Sequence, residues 1–187
     1  MVTGPSGAGK GTLIRGLVAR RDDLEVAVSA TTRRLRPGEK DGREYYFLSE
    51  DEFVRLIEQR SFLEHVVYVG HRYGTLRSEV ERIFGEGRSC VLELETRGAR
   101  AVKEEMPESV TVFVSAPSFA ELERRLRERA TESSGDIGER LQVARQQMDE
   151  ADDFDHVVVN DELERAVSDL EKVVDAALKP SDRLSPT

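Results

Sequence analysis

Apolar residues recur along this chain in two spacings, which predict strands alternating with helices. Short apolar runs are typical of strands buried on both faces, and apolar positions three or four residues apart predict helices. The predicted strands are 24–29, 90–94, 110–114 and 156–159, and the predicted helices are 12–21, 77–84, 99–105, 119–129, 139–151 and 161–178. This alternation favours an α/β fold with a parallel sheet, in which ligands bind at the carboxyl ends of the strands.

Residues 30–80 interrupt the alternation with short, strand-rich elements. A loop at 33–43 is punctuated by Pro37, Gly38 and Gly42. Strands are predicted at 45–48 and 62–69, with a helix that begins near Ser49 between them. We therefore expect one domain, in which an insert of about 30–80 divides a core made of 1–29, 81–129 and 141–178. The polar stretch 130–138 predicts a mobile segment, and the tail 179–187 has a disordered composition.

The composition limits the classes of molecule that this protein is expected to bind. The 187 residues are 38% hydrophobic and 35% charged, as in a soluble globular protein with a sizeable core. No apolar run approaches the ~20 residues that cross a membrane, and no signal sequence is recognisable. The net charge of −9 argues against nucleic-acid binding. Cys90 is the only cysteine, which excludes a disulfide framework, and we expect a cytoplasmic protein.

The segment 4–12 carries the most informative pattern. Two glycines five apart, then a lysine and a hydroxyl residue, are typical of a loop whose backbone N–H groups surround a phosphate at the start of a helix. We expect it to bind a nucleotide polyphosphate through Gly4, Pro5, Ser6, Gly7, Ala8, Gly9, Lys10, Gly11 and Thr12. Lys10 would carry the charge that meets the outer phosphates. The alternative is an ordinary glycine-rich turn before a helix.

Two features of this segment depart from the usual pattern. Gly11 stands where a Mg²⁺-binding Ser or Thr is expected, and the hydroxyl follows one position later at Thr12. Thr12 is therefore the candidate metal ligand, and the other ligands stay open. Only Val2 and Thr3 represent the strand before the loop, whereas buried strands have about five residues. We expect this chain to start late relative to that strand.

A second series of motifs follows the loop in order. It comprises SATTRRLRPGE at 29–39, GREYYF at 42–47, FLEH at 62–65, YGT at 73–75 and VVND at 158–161. Together with GPSGAGKGT at 4–12, this series resembles guanylate kinase over nearly the whole chain. The resemblance implies a P-loop three-layer fold with a central parallel sheet, an inserted GMP-binding subdomain and a mobile lid at about 130–140. Taken alone, the arginine-rich loop could instead be a solvated surface.

The resemblance also implies roles for individual residues. The phosphate of GMP would be held by Arg33, Arg36, Tyr45 and Tyr73, where guanidinium forks and phenol hydroxyls suit a dianion. Guanine would be recognised by Ser29 and Glu64, with Gly74 and Thr75 lining the same pocket. A carboxylate only accepts hydrogen bonds, and guanine offers two neighbouring donors that adenine lacks. Asn160 matches the loop that contacts the adenine of ATP.

The lid and one further segment complete the implied site. Arg129 and Arg140 match the lid residues that cover the transferring phosphates, so the implied catalytic set is Lys10, Arg33, Arg129 and Arg140. Arg125 is a further candidate to assist them. For most of Arg124, Arg125 and Arg127 the better interpretation is a solvated helix face paired with Glu121, Glu123 and Glu128. The segment 93–98 departs most from the family, because Glu95 replaces an Asp and Arg97 a small or amide residue. The substrate contacts of Glu93 and Glu95 are carried over with that difference.

The implied reaction is transfer of the γ-phosphoryl group of ATP to GMP, and to dGMP, with Mg²⁺ as the metal. ATP and GMP would be the partners, with neither nucleic acid nor membrane, and both a monomer and a homo-oligomer stay open. One rival is a related small-molecule kinase on the same scaffold, which Ser29, Glu64 and Tyr73 disfavour because a sugar phosphate has no guanine edge. Another rival is a non-catalytic interaction module, which would not retain the intact loop and lid arginines.

Overall fold

The computed structural model describes residues 1–129 and 134–179, and its elements alternate as the apolar pattern predicts. The strands are β1 (Val2–Thr3), β2 (Leu24–Val26), β3 (Ala30–Thr31), β4 (Tyr46–Phe47), β5 (Phe62–Tyr68), β6 (His71–Leu76), β7 (Ser89–Val91), β8 (Val112–Ser115) and β9 (His156–Val159). The helices are α1 (Lys10–Val18), α2 (Glu50–Glu58), α3 (Arg77–Gly85), α4 (Thr96–Glu105), α5 (Phe119–Arg129), α6 (Ser134–Asp149) and α7 (Leu163–Leu178).

A parallel sheet forms the centre of the molecule. β1 pairs with β8, β8 with β9 and β2 with β7, and all three pairs are parallel. The N–H of Val2 donates to Leu92 O at 2.8 Å and the N–H of Leu94 donates to Val2 O at 3.0 Å, so β1 also joins the chain that continues from β7. The strand order is therefore β2, β7, β1, β8 and β9. This confirms the predicted α/β class with a parallel sheet.

Helices cover both faces of the sheet, which gives the three layers. On one face, α1 and α7 bury Leu13, Leu17 and Leu170 against the strands. Gly16 permits the close approach of these two helices, because a Cβ there would lie 2.7 Å from a methyl group of Val167. On the other face, α3 and α4 enclose a second apolar cluster with Phe113 of β8.

The insert has a sheet and a small core of its own. Its four strands run in the order β4, β3, β6, β5, and β5 and β6 form an antiparallel hairpin. Phe53 of α2 stacks on Phe62 of β5 with ring centroids 4.3 Å apart. α2 begins at the predicted place, because Ser49 and Glu52 form a reciprocal capping box. The insert therefore presents β6, which the apolar pattern did not predict, beside the ends of the central strands.

Several predicted boundaries differ from the structure. β2 ends at Val26, so the predicted strand at 24–29 is too long. α6 begins at Ser134 rather than near 139, because Gly138 is accommodated inside the helix at a cost of about 1 kcal/mol. Residues 130–133 of the predicted lid and 180–187 of the predicted tail lie outside the described residues. Within the described ranges, no helix is long and apolar enough to cross a membrane.

Candidate functional site

A cleft of about 1000 Å³ separates the insert from the carboxyl ends of the central strands. It brings together most residues that the sequence predicts for the site: Pro5, Ser6, Gly7, Gly9, Lys10, Gly11, Thr12, Ser29, Arg33, Arg36, Tyr45, Glu64, Tyr73, Gly74, Glu95 and Arg140. Four others are buried behind this surface, namely Gly4, Ala8, Thr75 and Asn160. The side chain of Arg129 lies outside the described part of the structure. A cleft of this size and polarity suits a charged organic ligand.

The segment 4–12, here called the phosphate loop, has the backbone that its glycines allow. Gly4, Gly7 and Gly9 adopt φ values of 129°, 87° and 91°, which favour glycine. A Cβ on Gly4 would lie 2.2 Å from the carbonyl oxygen of Val114, so the loop passes directly over β8. α1 begins at Lys10 without a side-chain cap, which leaves its N-terminal N–H groups for a ligand.

The side chains of Lys10 and Asn160 donate hydrogen bonds to carbonyl oxygens of the phosphate loop. The Lys10 ammonium donates to Gly4 O at 2.6 Å and to Pro5 O at 3.3 Å, so it spans the loop while it lines the cleft. The Asn160 amide donates to Ala8 O at 2.7 Å. Arg125 in turn donates to the carbonyl of Asn160 at 2.9 Å. Asn160 therefore supports the loop, and its predicted contact with adenine stays a prediction.

The arginine corner of the cleft comprises Arg33, Arg36, Glu39, Tyr45 and Tyr73. The Arg33 guanidinium donates to both oxygens of Glu39, at 2.9 and 3.0 Å, and lies 5.3 Å from the centroid of the Tyr45 ring. Glu39 also accepts from the N–H of Arg36 at 2.8 Å. Burial works to lower the pKa of Arg33, but its hydrogen bonds to Glu39 raise it. Glu39 therefore orients a permanent cation toward the cleft.

The two tyrosines of this corner supply hydroxyl groups. The ring centroids of Tyr45 and Tyr73 are 5.9 Å apart in an edge-on arrangement. Burial, and then the charge of Glu93, raise the pKa of Tyr45 to about 12, so its hydroxyl is a donor at neutral pH. A guanidinium group beside phenol hydroxyls is suited to binding a phosphate.

The carboxylate corner comprises Glu64, Thr75 and Glu95. Glu64 of β5 is only 7% exposed, and its Oε1 accepts from the Thr75 hydroxyl at 2.9 Å. Gly98 leaves room for it, because a Cβ there would lie 2.5 Å from Glu64 Oε2. Burial, with a smaller contribution from Glu95, raises the pKa of Glu64 to about 7. The corner thus offers a partly protonated carboxyl group to a ligand that donates hydrogen bonds.

Helix α6 reaches the cleft at two points. The buried amide of Gln147 donates to Glu95 Oε2 at 3.0 Å, and Arg140 lines the cleft two turns earlier on the same helix. The predicted surface pairs on α5 are confirmed for Arg124, with Glu121 and Glu128, and for Arg127, with Glu123, whereas Arg125 pairs with Glu121 but also donates to Asn160 and is mostly buried. α6 therefore connects the carboxylate corner with the middle of the cleft.

Glu39 and Tyr68 are among the residues lining this cleft that sequence reasoning missed. Glu39 is part of the quoted RPGE motif, but nothing in the pattern shows that its carboxylate engages Arg33. Tyr68 ends β5, and only the hairpin formed with β6 turns it toward Ser6 and Arg140. A signal for both could have been found by asking which polar residues of the insert face the phosphate loop once β5 and β6 pair.

Comparison with known proteins agrees with this geometry. The family model described as guanylate kinase matches residues 1–177. The chain belongs to the guanylate kinase family. A guanylate kinase from Synechococcus sp. (strain JA-3-3Ab) is 47% identical over 174 residues, which cover 93% of this chain and 80% of that relative.

Other members of the guanylate kinase family show similar agreement. A guanylate kinase from Caldanaerobacter subterraneus subsp. tengcongensis is 41% identical, covering 98% of this chain and 89% of the relative. The crystal structure of guanylate kinase from Anaplasma phagocytophilum superposes with a TM-score of 0.77 at 29% identity, covering 96% of this chain and 85% of that one. The P-loop kinase fold expected from the motifs is therefore confirmed.

The guanylate kinase cleft has oxygen donors that suit Mg²⁺. The Thr12 hydroxyl and the Glu93 and Glu95 carboxylates line it, and hard oxygen ligands are those that Mg²⁺ prefers. Arg15 donates to Thr12 Oγ1 at 3.1 Å. Among the described residues, no three His, Cys, Asp or Glu side chains cluster closely enough to hold a metal. Such a set fits an ion that keeps its waters and binds mainly through nucleotide phosphates.

Proposed function

We propose that this chain is an active guanylate kinase, which transfers the γ-phosphoryl group of ATP to GMP or dGMP and gives ADP and GDP or dGDP. The observation that carries the proposal is the content of one cleft: an intact phosphate loop faces a buried carboxyl group and an arginine corner. The loop suits a donor triphosphate, and the two corners suit the base and the phosphate of an acceptor nucleotide.

Recognition of guanine follows from the carboxylate corner. Ionised Glu64 accepts from the two neighbouring donors of guanine, while Thr75 holds one of its oxygens in place. Adenine would leave the buried carboxylate without those partners, which is costly. Arg33 and Arg36, with Tyr45 and Tyr73, would neutralise the phosphate of the acceptor.

Transfer itself needs no general base, because the attacking phosphate oxygen is already anionic. The bond from an acceptor oxygen to the γ-phosphorus forms while the bond to the β-phosphate oxygen breaks, in a loose transition state. Lys10 and Arg140 would neutralise the equatorial oxygens from opposite sides of the cleft, and we assign the same role to Arg129. Mg²⁺, when bound through the nucleotide phosphates with Thr12 as a candidate ligand, adds further positive charge.

Closure would complete the site. We propose that the insert at about 30–80 and the lid at about 130–140 close on the nucleotides, which excludes water and limits hydrolysis of ATP. The acidic net charge of −9 favours free nucleotides over nucleic acid as partners. We propose the cytoplasm, where ATP is available, as the compartment.

A coupled ADP-release assay tests the proposal. With Mg²⁺ and ATP, we expect turnover with GMP and dGMP, and at least about 100-fold less kcat/KM with AMP or UMP, because those bases leave Glu64 unpaired. The variant Lys10→Ala should retain the fold by circular dichroism and lose turnover. Equal turnover of GMP and AMP would refute the guanine assignment. No turnover with any nucleotide would favour the interaction module, and near-normal Lys10→Ala activity would remove the loop from its role.

A further inference from the structure

Tyr68 stands where the insert faces the phosphate loop. It is the last residue of β5, and it lines the cleft together with Ser6 and Arg140. Its hydroxyl oxygen is buried and makes no hydrogen bond of normal geometry within the described ranges, although the Ser6 side chain lies close enough to act on it. Buried tyrosine hydroxyls usually have a partner, so this group lacks one that a bound ligand could supply.

The side chains that shift the pKa of the Tyr68 hydroxyl come from three different parts of the fold. Burial, and then the charge of Glu95, raise the pKa of its hydroxyl to about 12, while Arg140 and Ser6 act in the opposite direction. The hydroxyl therefore keeps its proton at neutral pH and serves as a donor. The three groups that act on it lie at the start of α4 (Glu95), on α6 (Arg140) and in the phosphate loop (Ser6).

Tyr68 ends a row of three phenol rings. Arg33 lies over Tyr45, Tyr45 is edge-on to Tyr73 with centroids 5.9 Å apart, and Tyr73 is edge-on to Tyr68 with centroids 6.4 Å apart. The row begins in the arginine corner and extends toward the phosphate loop. Its third member therefore occupies the interval between the proposed acceptor phosphate and the proposed donor phosphates.

We propose that the Tyr68 hydroxyl donates a hydrogen bond to the phosphoryl group as it passes from donor to acceptor. This inference rests on the proposed function. The phenol keeps its proton throughout, and only the two phosphorus–oxygen bonds of the transfer change. A donor held in place before the reaction stabilises the charge on the equatorial oxygens without reorganisation. Tyr68 would then be a catalytic residue, whereas Tyr45 and Tyr73 hold the acceptor.

The variant Tyr68→Phe separates this role from a structural one. It removes only the hydroxyl, so we expect kcat to fall about 10- to 100-fold, as for loss of a hydrogen bond to a charged group. The KM values for ATP and GMP should change less than about 2-fold, because the group acts mainly in the transition state. The melting temperature should stay the same or rise, since a buried hydroxyl without a partner is destabilising.

A matched control is Tyr46→Phe. The Tyr46 hydroxyl also belongs to the insert, but it donates to Glu79 at 3.4 Å, away from the cleft. We expect wild-type kcat for this variant. The variant Tyr73→Phe should instead raise the KM for GMP, which distinguishes binding of the acceptor from the transfer step.

Each outcome of these experiments either supports or overturns the proposed role of the Tyr68 hydroxyl. A normal kcat for Tyr68→Phe overturns the inference and leaves the proposed function intact, because wild-type turnover of GMP tests that separately. A loss of kcat that parallels a lower melting temperature, or that Tyr46→Phe shares, identifies a structural effect and also overturns it. Absence of GMP turnover in the wild-type protein refutes both proposals. A selective loss of kcat with retained stability supports the role of Tyr68.

Discussion

Glu64 illustrates how one buried carboxyl group makes ligand binding depend on pH. Burial raises its pKa from 4.5 to about 7, because the site is shielded from water and contains Glu95. The folded protein keeps this proton at pH values where the unfolded chain has lost it. The contribution of Glu64 to stability therefore falls as the pH rises from 4.5 to about 7 and is constant above that range. Guanine requires the ionised form, so ligand binding and stability of the free protein have opposite pH dependences.

We predict that GMP binds about 10-fold more weakly at pH 6 than at pH 8, because about one Glu64 in ten is ionised at the lower value. The phosphate of GMP also titrates near pH 6. Calorimetric titrations of the Glu64→Gln variant provide the control, since that protein keeps the phosphate titration and loses the carboxyl group. If wild type and variant have the same pH profile, Glu64 is not the titrating group.

The position of a residue in the cleft could be predicted where the residue belongs to a short motif. Lys10 and Glu64 line the cleft as the motifs predicted, since GPSGAGKGT and FLEH are both local in sequence. Glu39 and Tyr68 could not be predicted, because their contacts with Arg33 and Tyr73 exist only after the loop and the hairpin have folded. The contact of Gln147 with Glu95 could not be predicted either, because it exists only after α6 has packed beside Glu95.

Among the elements, those with an end signal or a strong period were predicted best. α2 follows its capping box, whereas β6 has the sequence HRYGTL, in which polar residues and a glycine hide the strand pattern. It is a strand because it pairs with both β5 and β3. Tertiary pairing outweighs local preference here, as is common for strands.

The packing of α1 on α7 gives a prediction for one element pair. Gly16→Ala would place a Cβ 2.7 Å from a methyl group of Val167, so we expect a loss of about 1–3 kcal/mol in the free energy of unfolding. Gly85→Ala at the end of α3 is the control, because a Cβ there meets nothing within 4 Å, and it should be neutral or slightly stabilising. Urea unfolding measures both. Equal stabilities for the two variants would mean that α1 and α7 move apart at no cost.

Across the whole molecule, α6 links the carboxylate corner to the cationic side of the cleft. Arg140, Ala144 and Gln147 are spaced by four and three residues, so they share one face of the helix. Ala144 is fully buried, which keeps that face close to the core. One face of α6 therefore contacts Glu95 and also contributes Arg140 to the cleft.

We predict that Gln147→Ala raises the KM for GMP about 10-fold, because Glu95 loses a hydrogen bond to a charged group. The KM for ATP should change less than about 2-fold, since the phosphate loop is untouched. Gln146→Ala removes the exposed neighbouring amide and is the control. Steady-state kinetics with each substrate varied in turn measure both constants. An unchanged KM for GMP, or an equal effect in Gln146→Ala, would contradict a role of Gln147 in holding Glu95.

The support that Asn160 gives to the phosphate loop has a consequence for the order of synthesis. The loop is made first, but its carbonyl at Ala8 is held by a residue 152 positions later. Within the described residues, β1 likewise pairs with residues 92–94 and with β8, which are made later. On the ribosome, the phosphate loop therefore lacks the support of Asn160 until the residue after β9 has been made. A nascent chain released before β9 would carry the phosphate-binding motif without the shape that lets it bind.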